Sequence, residues 1–287
     1  SDTRFASNDE IYYNIASILK YVPFCRHIYI VTDNQQPEFI SQFVEQGLCN
    51  ADKIRVVDHK EIFSGYEQHL PTFNTRSIES MLWNIPGLSE YFIYLNDDFF
   101  FNATAKIEDF LQDDHVVVYG HWESTFALKT KLKYRQFLQK QFNKPVQPKH
   151  MIAQMLSADI LGMKKFFEIH HYPHIVDRKT LSEYFLTQPE LLETQIKFKF
   201  RSVDQVNPIT LMNHLKIQKN QANLQPDIDL AYLKNEQSVD AFLHAVNHPE
   251  IKYGCIQSLD QLDGMAAERI VHVMNDKFKG FLPNSIQ

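Results

Sequence analysis

The chain has 287 residues, of which 44% are hydrophobic and eight are glycine, so it is long enough for one large folded domain or two small ones. Its formal net charge of −6 argues against a general nucleic-acid-binding protein. No apolar run reaches the ~18–20 residues that span a membrane. The three widely spaced cysteines predict reduced thiols in a cytoplasmic protein and argue against a disulfide-linked scaffold.

Strand-like and helix-like segments alternate through the first half of the chain. Four β-branched or aromatic runs end in polar residues and predict strands: RHIYIVTD (26–33), KIRVVDH (53–59), FIYLNDD (92–98) and HVVVYGH (115–121). Helices are predicted from Ile11 to Val22 after a Ser7-Asn8 cap, from Pro37 onward, and over 74–85. This alternation predicts an α/β fold with a mostly parallel sheet flanked by helices.

Polar side chains follow three of the predicted strands. They are Asp33, Asp58-His59 and Asn96-Asp97-Asp98. In parallel α/β sheets, ligands bind beyond the carboxyl ends of the strands, so these residues are candidates for one site. Adjacent carboxylates inside an apolar run are costly unless a positive group neutralises them. Asp97 and Asp98 therefore suggest a Mg²⁺ or Mn²⁺ site that bridges substrate phosphates, and the alternative is a turn with solvated aspartates.

The second half begins with a basic stretch over 129–149, within a predicted helical subdomain over 122–195. It contains seven Lys or Arg residues and no acid, with Tyr134, Phe137 and Phe142 interleaved. It is interpreted as a solvated helix face, a site for an anionic acceptor, or a contact with a membrane surface. Further along, 217–224 is predicted to be a surface loop, 251–257 a strand and 258–280 a final helix.

Three further segments contain candidate catalytic groups. In HHYPHIVDR (170–178), His171 and His174 share a helix face or are held extended by Pro173. The segment is interpreted as a general base with Arg178 binding phosphate, as a zinc site, or as a surface histidine cluster. Arg201 follows the strand-like KFKF, where a guanidinium could bind a phosphate or remain solvated. Glu79 is predicted to lie on an exposed helix face.

Taken together, these segments resemble the Stealth family, which includes bacterial capsule-polymer sugar-1-phosphate transferases and the catalytic subunit of the lysosomal-enzyme N-acetylglucosamine-1-phosphotransferase. TRFASNDEIYYNIASILKYVPFCRHIYIVTDNQQP, VVDHKEIF, LPTFNTRSIES and IPGLSEYFIYLNDDFFF resemble its second conserved region. HHYPHIVDR and FKFRSVDQVNP resemble the third region, and IKYGCIQS with FKGFLPNSIQ resembles the fourth. Two departures stand out. The first region, a strand with a Trp-Val-Asp-Gly-like sequence, is expected upstream of Ser1, and Gln257-Ser258 replaces a frequent Asn-Asp pair.

The resemblance implies a single catalytic domain over 1–287 that lacks its N-terminal strand. Its expected fold is a glycosyltransferase-A-like, Rossmann-like nucleotide-sugar fold with helical additions. The implied reaction is the transfer of a sugar-1-phosphate from a UDP-sugar to an acceptor sugar hydroxyl, with release of UMP. Such a reaction requires a divalent metal, cationic groups for the phosphates, and a base. The expected cofactor is Mg²⁺ or Mn²⁺.

The resemblance also assigns roles to individual residues. The catalytic group is Asp97, Asp98, Glu79, His171, His174 and Arg201, with Asp97 and Asp98 also holding the metal. The substrate-binding group is Arg4, Asp33, Asn74, Asn96, Arg178 and Asp204. The expected partners are a UDP-sugar and an anionic glycan acceptor, without nucleic acid, at the cytoplasmic face of the plasma membrane. Two alternatives stay open: a metal-dependent glycosyltransferase that releases UDP, and an inactive glycan-binding module.

Overall fold

The structure is a computed structural model that describes residues 10–142, 147–257 and 259–287. The strands are β1 Ile28–Thr32, β2 Ile54–Asp58, β3 Tyr91–Tyr94, β4 Phe99–Phe101, β5 Leu111–Gln112, β6 His115–Tyr119, β7 His121–Ser124, β8 Lys165–Glu168, β9 His174–Asp177, β10 Ala222–Gln225, β11 Leu230–Leu233 and β12 Tyr253–Ile256. The helices are α1 Glu10–Tyr21, α2 Gln42–Glu45, α3 His59–Ile62, α4 Thr75–Glu79, α5 Thr125–Phe142, α6 His150–Asp159, α7 Arg178–Thr187, α8 Pro189–Ile196, α9 Pro208–Gln218, α10 Val239–Val246 and α11 Gly264–Lys277.

The fold is mixed α/β, but the prediction of a mostly parallel sheet is wrong. The described strands form several small sheets, in which β1–β2, β6–β10 and β11–β12 are parallel. The pairs β3–β9, β4–β12, β5–β6 and β7–β8 are antiparallel. Short connections explain part of this result. Asp113 and Asp114 both have positive φ, 48° and 61°, and form a two-residue hairpin turn that forces β5 and β6 to run in opposite directions.

All four strands predicted in the first half are confirmed, as β1, β2, β3 and β6, whereas two predicted helices are shorter than expected. The segment after Pro37 becomes helical only at α2, and the helix predicted over 74–85 divides into α4 and a 3₁₀ turn at Leu82–Asn84. Helix α1 is confirmed. Its buried side chains include Ile15 and Ile18, and the Phe101 amide donates to Ser17 Oγ at 3.0 Å.

Two predictions for the second half are wrong. The polar segment 217–224 is not a loop, because its last residues form β10, which pairs with the buried strand β6 and leaves its Asn and Gln side chains half-buried. The KFKF segment (197–200) is not a strand. The carbonyl of Phe198 instead accepts a hydrogen bond from Asn74 Nδ2 at 3.1 Å, and the Phe73 amide donates to the Lys199 carbonyl at 3.0 Å.

One large hydrophobic cluster extends from α1 to the C-terminal residues. A second, small cluster packs α5 against α6 and β8, through Leu132, Ile152, Met155, Ala158 and Phe166. The segment 122–195 contains α5–α8 and also β7, β8 and β9, so it is helix-rich but not all-helical. Among the described residues, no helix combines the length and the apolar character needed to cross a lipid bilayer.

Candidate functional site

The turn between β3 and β4 carries Asn96, Asp97 and Asp98. Three elements hold its backbone in place. Antiparallel pairing of β3 with β9 fixes one end of the turn, and the Ile256 amide donates to the Asp98 carbonyl at 2.7 Å at the other. Asn14 of α1 donates from Nδ2 to the Asn96 carbonyl at 2.8 Å. The turn therefore has a fixed position between two sheets and a helix.

Asp98 is the most strongly perturbed carboxylate of this turn. Burial, and then the charge of Asp97, raises the pKa of Asp98 to about 7. The Cys255 thiol lies 3.4 Å from Oδ2, where it can donate a weak hydrogen bond. The buried Oδ1 has no hydrogen-bond partner among the described residues. A nearby cation would strongly stabilise the ionised form of such a carboxylate.

The exposed side chain of Asp97 and the half-buried one of Asp98 can provide oxygen ligands from one turn. Mg²⁺ and Mn²⁺ prefer such ligands, and the unpartnered Oδ1 of Asp98 is consistent with a bound cation. These two residues are therefore the ones that could hold the predicted metal.

Glu79 is buried, so the prediction of an exposed helix face is wrong. Glu79 is 8% exposed, because α4 packs against α8 and α9 and the Tyr94 hydroxyl of β3 contacts its carboxylate. Glu79 Oε1 lies 2.8 Å from the Tyr94 hydroxyl, which also contacts Asn96 Oδ1. Burial raises the pKa of Glu79. Since a hydroxyl has one proton, Tyr94 can donate to Glu79 or to Asn96 but not to both at once.

Neither His171 nor His174 lies on a helix: His171 is in a bend, and the extended conformation predicted from Pro173 is found at His174. Their environments also differ. His174 begins β9 and is buried, and its Nε2 lies 3.1 Å from the His170 carbonyl. Burial lowers the pKa of His174 to about 3, so it stays neutral. The half-buried His171 ring packs edge-on to Phe99, directly after the carboxylate turn, at 5.9 Å between centroids. Of the two, His171 is the one placed next to the carboxylates.

Two aromatic side chains, His150 and Tyr232, pack on His171, and no sequence motif identifies either of them. His150, at the start of α6, stacks on His171 with centroids 5.9 Å apart. Desolvation, followed by the charges of His171 and Arg76, lowers the pKa of His150. Its side chain keeps solvent-exposed surface, so we expect a smaller decrease than for the buried His174. The Tyr232 ring also packs on His171, with centroids 5.7 Å apart, and its hydroxyl donates to Gln257 Oε1 at 2.7 Å.

Arg201 is exposed and donates from Nη2 to Thr75 Oγ1, at the start of α4, at 2.7 Å. Its charge also acts to lower the pKa of Glu79, which opposes the larger effect of burial. Arg201 therefore lies on the Glu79 side of the site, with its remaining donors free of described partners. Asp204 lies in the same loop and accepts from Ser202 Oγ at 3.3 Å.

Asn74 is buried, and its side chain forms hydrogen bonds to other groups of the protein. Its Oδ1 accepts from the Arg76 amide and caps α4, while its Nδ2 donates to Gln205 Oε1 at 2.9 Å. All of these contacts are internal, and they connect α4 to the loop that carries Arg201.

The remaining predicted residues are not brought to the carboxylates by any described contact. Arg178 donates to the Leu88 carbonyl at 2.9 Å and lies at the opposite end of β3, because β9 runs antiparallel to it. Asp33 Oδ1 lies 4.0 Å from His59 Nδ1, and the Asp58 side chain caps α3. Their roles stay predictions, as does that of Arg4, which lies outside the described residues.

A cavity of about 890 Å³ lies beside the turn. The strands β1 and β3 and the helix α1 line it with mostly apolar side chains. Its polar lining includes Thr75, Glu79, Asn96 and Asp97. This volume lies within the usual range of small-molecule sites.

Comparison with known proteins identifies one conserved region and several relatives. Residues 4–119 match the family model of Stealth protein CR2, conserved region 2. The chain is 42% identical over 109 residues to the capsular polysaccharide phosphotransferase cps1A of Actinobacillus pleuropneumoniae, covering 38% of this chain and 28% of that protein. It is 34% identical over 183 residues to LcbA of Aeromonas hydrophila, also a capsular polysaccharide phosphotransferase, covering 63% and 45%. It is 30% identical over 208 residues to the exopolysaccharide phosphotransferase SCO6021 of Streptomyces coelicolor, covering 72% and 36%. The matches span less than half the length of each relative.

Proposed function

Because the chain belongs to the Stealth family, whose conserved region 2 it carries, we propose that it transfers a sugar-1-phosphate from a UDP-sugar to an acceptor sugar hydroxyl. The similar proteins named above are phosphotransferases for capsular or extracellular polysaccharides, which supports phosphoryl transfer. The whole chain acts as one catalytic domain in this proposal.

The observation that carries the proposal is the Asp98 carboxylate. It combines a pKa near 7, a buried oxygen without a described partner, and a neighbouring exposed carboxylate at a strand end. Buried unpartnered carboxylate oxygens are rare, and they are expected where a cation or a substrate binds. Asp97 and Asp98 would hold Mg²⁺ or Mn²⁺, and the bound ion would supply positive charge next to the diphosphate.

In the proposed reaction, the acceptor hydroxyl oxygen attacks the phosphorus that carries the sugar. The new P–O bond forms a sugar–phosphate–sugar diester, and the bond to the second phosphate breaks and releases UMP. His171 is the proposed base for the hydroxyl proton. Desolvation lowers its pKa, so it is unprotonated near neutral pH.

The surrounding residues have supporting roles in this proposal. Arg201 binds a phosphate through the guanidinium donors that do not contact Thr75. His174 holds the backbone of the 170–174 segment through the His170 carbonyl and so positions His171. The Glu79–Tyr94–Asn96 chain fixes the side-chain orientation at the start of the carboxylate turn.

The acceptor in this proposal is an anionic glycan that binds along α5. The helix exposes Phe126, Tyr134 and Phe137, with exposures of 77%, 62% and 59%, beside Lys131 and Lys133. The lysines would attract a phosphodiester polymer, and the rings would pack on its sugars. The proposal also includes a cytoplasmic location at the inner face of the plasma membrane, which the three free cysteines support.

Nucleotide product analysis tests the reaction class. Purified chain is incubated with UDP-sugars, a glycan acceptor and Mg²⁺, and the nucleotides are separated by chromatography. We expect UMP, together with a phosphodiester-linked product. We also expect Asp98→Asn and His171→Ala each to lose activity, by roughly 10³-fold for Asp98→Asn. Asp240→Asn, an exposed aspartate paired with Arg269, is the matched control that keeps activity.

The other outcomes are equally specific. UDP with a glycosidic product would identify an ordinary glycosyltransferase at the same carboxylate site. No nucleotide release with any UDP-sugar, combined with glycan binding, would identify a binding module. Both results would reject phosphoryl transfer.

A further inference from the structure

A separate cluster of histidine and carboxylate side chains lies next to the proposed active site, and the proposed reaction does not use it. His121 Nδ1 lies 2.8 Å from Asp227 Oδ2, and His170 Nε2 lies 3.3 Å from Asp227 Oδ1. One ligand atom from each of these three residues lies within 4.8 Å of the others. On the other side of the His121 ring, Nε2 lies 3.6 Å from Glu123 and 3.7 Å from Glu168.

Strand pairing brings these side chains together from three distant parts of the chain. Antiparallel pairing of β7 with β8 places His121 opposite Glu168. A Cβ at Gly120 would lie 2.0 Å from the Glu168 carbonyl oxygen, so glycine is needed at this position for the backbones to approach. The Gly120 amide donates to the Gln225 carbonyl at 3.0 Å, and this contact brings Asp227 beside His121. The cluster is therefore held by backbone geometry.

We propose that His121 Nδ1, His170 Nε2 and Asp227 bind a zinc-type divalent transition-metal ion. Bonds of ~2.0–2.1 Å to a tetrahedral Zn²⁺ place its ligand atoms roughly 3.3 Å apart. The two histidine nitrogens lie 2.8 Å and 3.3 Å from the two oxygens of Asp227, so small side-chain movements would bring the three ligands to that spacing. Glu123 and Glu168 lie at the opposite ring nitrogen of His121 and favour the tautomer with its proton there. Carboxylates commonly orient metal-binding histidines in this way.

Charge also favours a cation over a network of hydrogen bonds alone. Three carboxylates surround two imidazoles, so the cluster carries excess negative charge unless a cation joins it. His121, His170 and Asp227 have side-chain exposures of 41%, 45% and 43%, so an ion can reach them from solvent. Three protein ligands leave a fourth position for water.

The ion would link β7, the segment before β9, and the β10–β11 connection. Because His170 directly precedes His171, the site would also immobilise the segment that carries the proposed base. This metal site is distinct from the Asp97–Asp98 site, both in its residues and in its preference for nitrogen ligands.

Titration with Co²⁺ and Zn²⁺ tests the proposal without any measurement of turnover. We expect metal-free protein to bind one equivalent of Co²⁺ with the intense visible absorption of tetrahedral coordination, and Zn²⁺ to displace it. His121→Ala and Asp227→Asn are expected to lose this absorption. Glu168→Gln is expected to weaken binding by about 10- to 100-fold. Zn²⁺ should also raise the Tm of the wild type and leave that of Asp227→Asn unchanged.

Three controls make the result specific. His272→Ala replaces an exposed histidine on α11 and should keep the absorption. Asp97→Asn should keep it too, because that residue belongs to the other site. His244 and His248 form an exposed pair on and after α10, with Nε2 atoms 3.1 Å apart, and could bind metal on their own. Loss of the absorption in His244→Ala, or its persistence in folded Asp227→Asn as judged by circular dichroism, would overturn the proposal.

Discussion

Asp98 shows how one buried carboxylate affects both stability and activity. Its pKa is about 7 in the folded chain, against 3.8 as the unperturbed value. Between these two values the folded state binds a proton that the unfolded state lacks. The contribution of Asp98 to stability is therefore largest below pH 3.8, the pKa in the unfolded chain. It is lost as the pH rises through about 7, the pKa in the folded chain.

We therefore expect Asp98→Asn to stabilise the metal-free chain at pH 8 while abolishing activity. One pKa unit corresponds to ~1.4 kcal/mol, so the gain in the free energy of unfolding should be roughly 2–4 kcal/mol. Urea denaturation in EDTA at pH 5 and pH 8 measures it, with Asp240→Asn as the surface control. A variant with the same dependence of stability on pH as the wild type would contradict the assigned pKa.

At the same scale, sequence reasoning identified Asp97 and Asp98 because charges inside an apolar run are unusual. It did not identify His150 or Tyr232, which reach His171 from separate parts of the chain. Contacts of this kind depend on tertiary structure, and no local pattern encodes them. It also placed Glu79 in solvent, because a helix of one turn has too few residues for its buried face to be recognised.

At the scale of elements, α5 presents two different faces. Leu132 packs into the small core. At 3.6 residues per turn, Phe126, Lys133 and Phe137 lie within ~40° of one another and about 100–140° around the helix from Leu132. The side chain of Lys129 is partly engaged by an ion pair with Asp159 at 2.7 Å. The exposed face therefore combines aromatic rings with free positive charge.

If the solvent-accessible surface of α5 binds anionic glycan, we expect Lys131→Gln, Lys133→Gln and Arg135→Gln combined to raise the KM for long acceptors. The rise should be about 10-fold, because three exposed charges at roughly 0.5 kcal/mol each total ~1.5 kcal/mol, and ~1.4 kcal/mol corresponds to a factor of ten. Short acceptors should be little affected, and the difference should shrink at high salt. A triple variant at Lys179, Lys219 and Lys279 controls for net charge. Normal turnover combined with lost sedimentation on anionic liposomes would instead indicate a membrane contact.

Strand positions in the first half were predictable because β-branched and aromatic runs mark them locally. Pairing was not predictable in the same way. The partner of β3 is β9, about 80 residues away, and β12 pairs with β4 across a still longer separation. Strand β10 was missed because its Asn and Gln residues suit an edge position, where one side of the strand stays solvated.

At the scale of the whole molecule, the cavity lies between strands β1 and β3. Each of these strands forms backbone hydrogen bonds to a neighbouring strand on one side only among the described residues. In β1, the Ile28 amide donates to the Lys53 carbonyl at 2.7 Å, toward β2. In β3, the Glu90 carbonyl accepts from the Arg178 amide at 2.8 Å, toward β9. The backbone N–H groups of successive residues in a strand point to opposite sides. The amides of Tyr29, Val31, Tyr91 and Ile93 therefore point away from β2 and β9 and toward the cavity.

The unpaired edges of β1 and β3 should show fast amide hydrogen exchange. No described residue pairs with the cavity-facing amides, so Tyr29, Val31, Tyr91 and Ile93 should exchange with deuterium much faster than Ile30 and Phe92 in the same strands. Residue-resolved exchange measured by NMR at neutral pH checks this alternation, with the paired β6–β10 strands as the protected reference. Equal protection on both sides of β1 and β3 would mean that a further strand occupies the cavity and joins the two sheets into one.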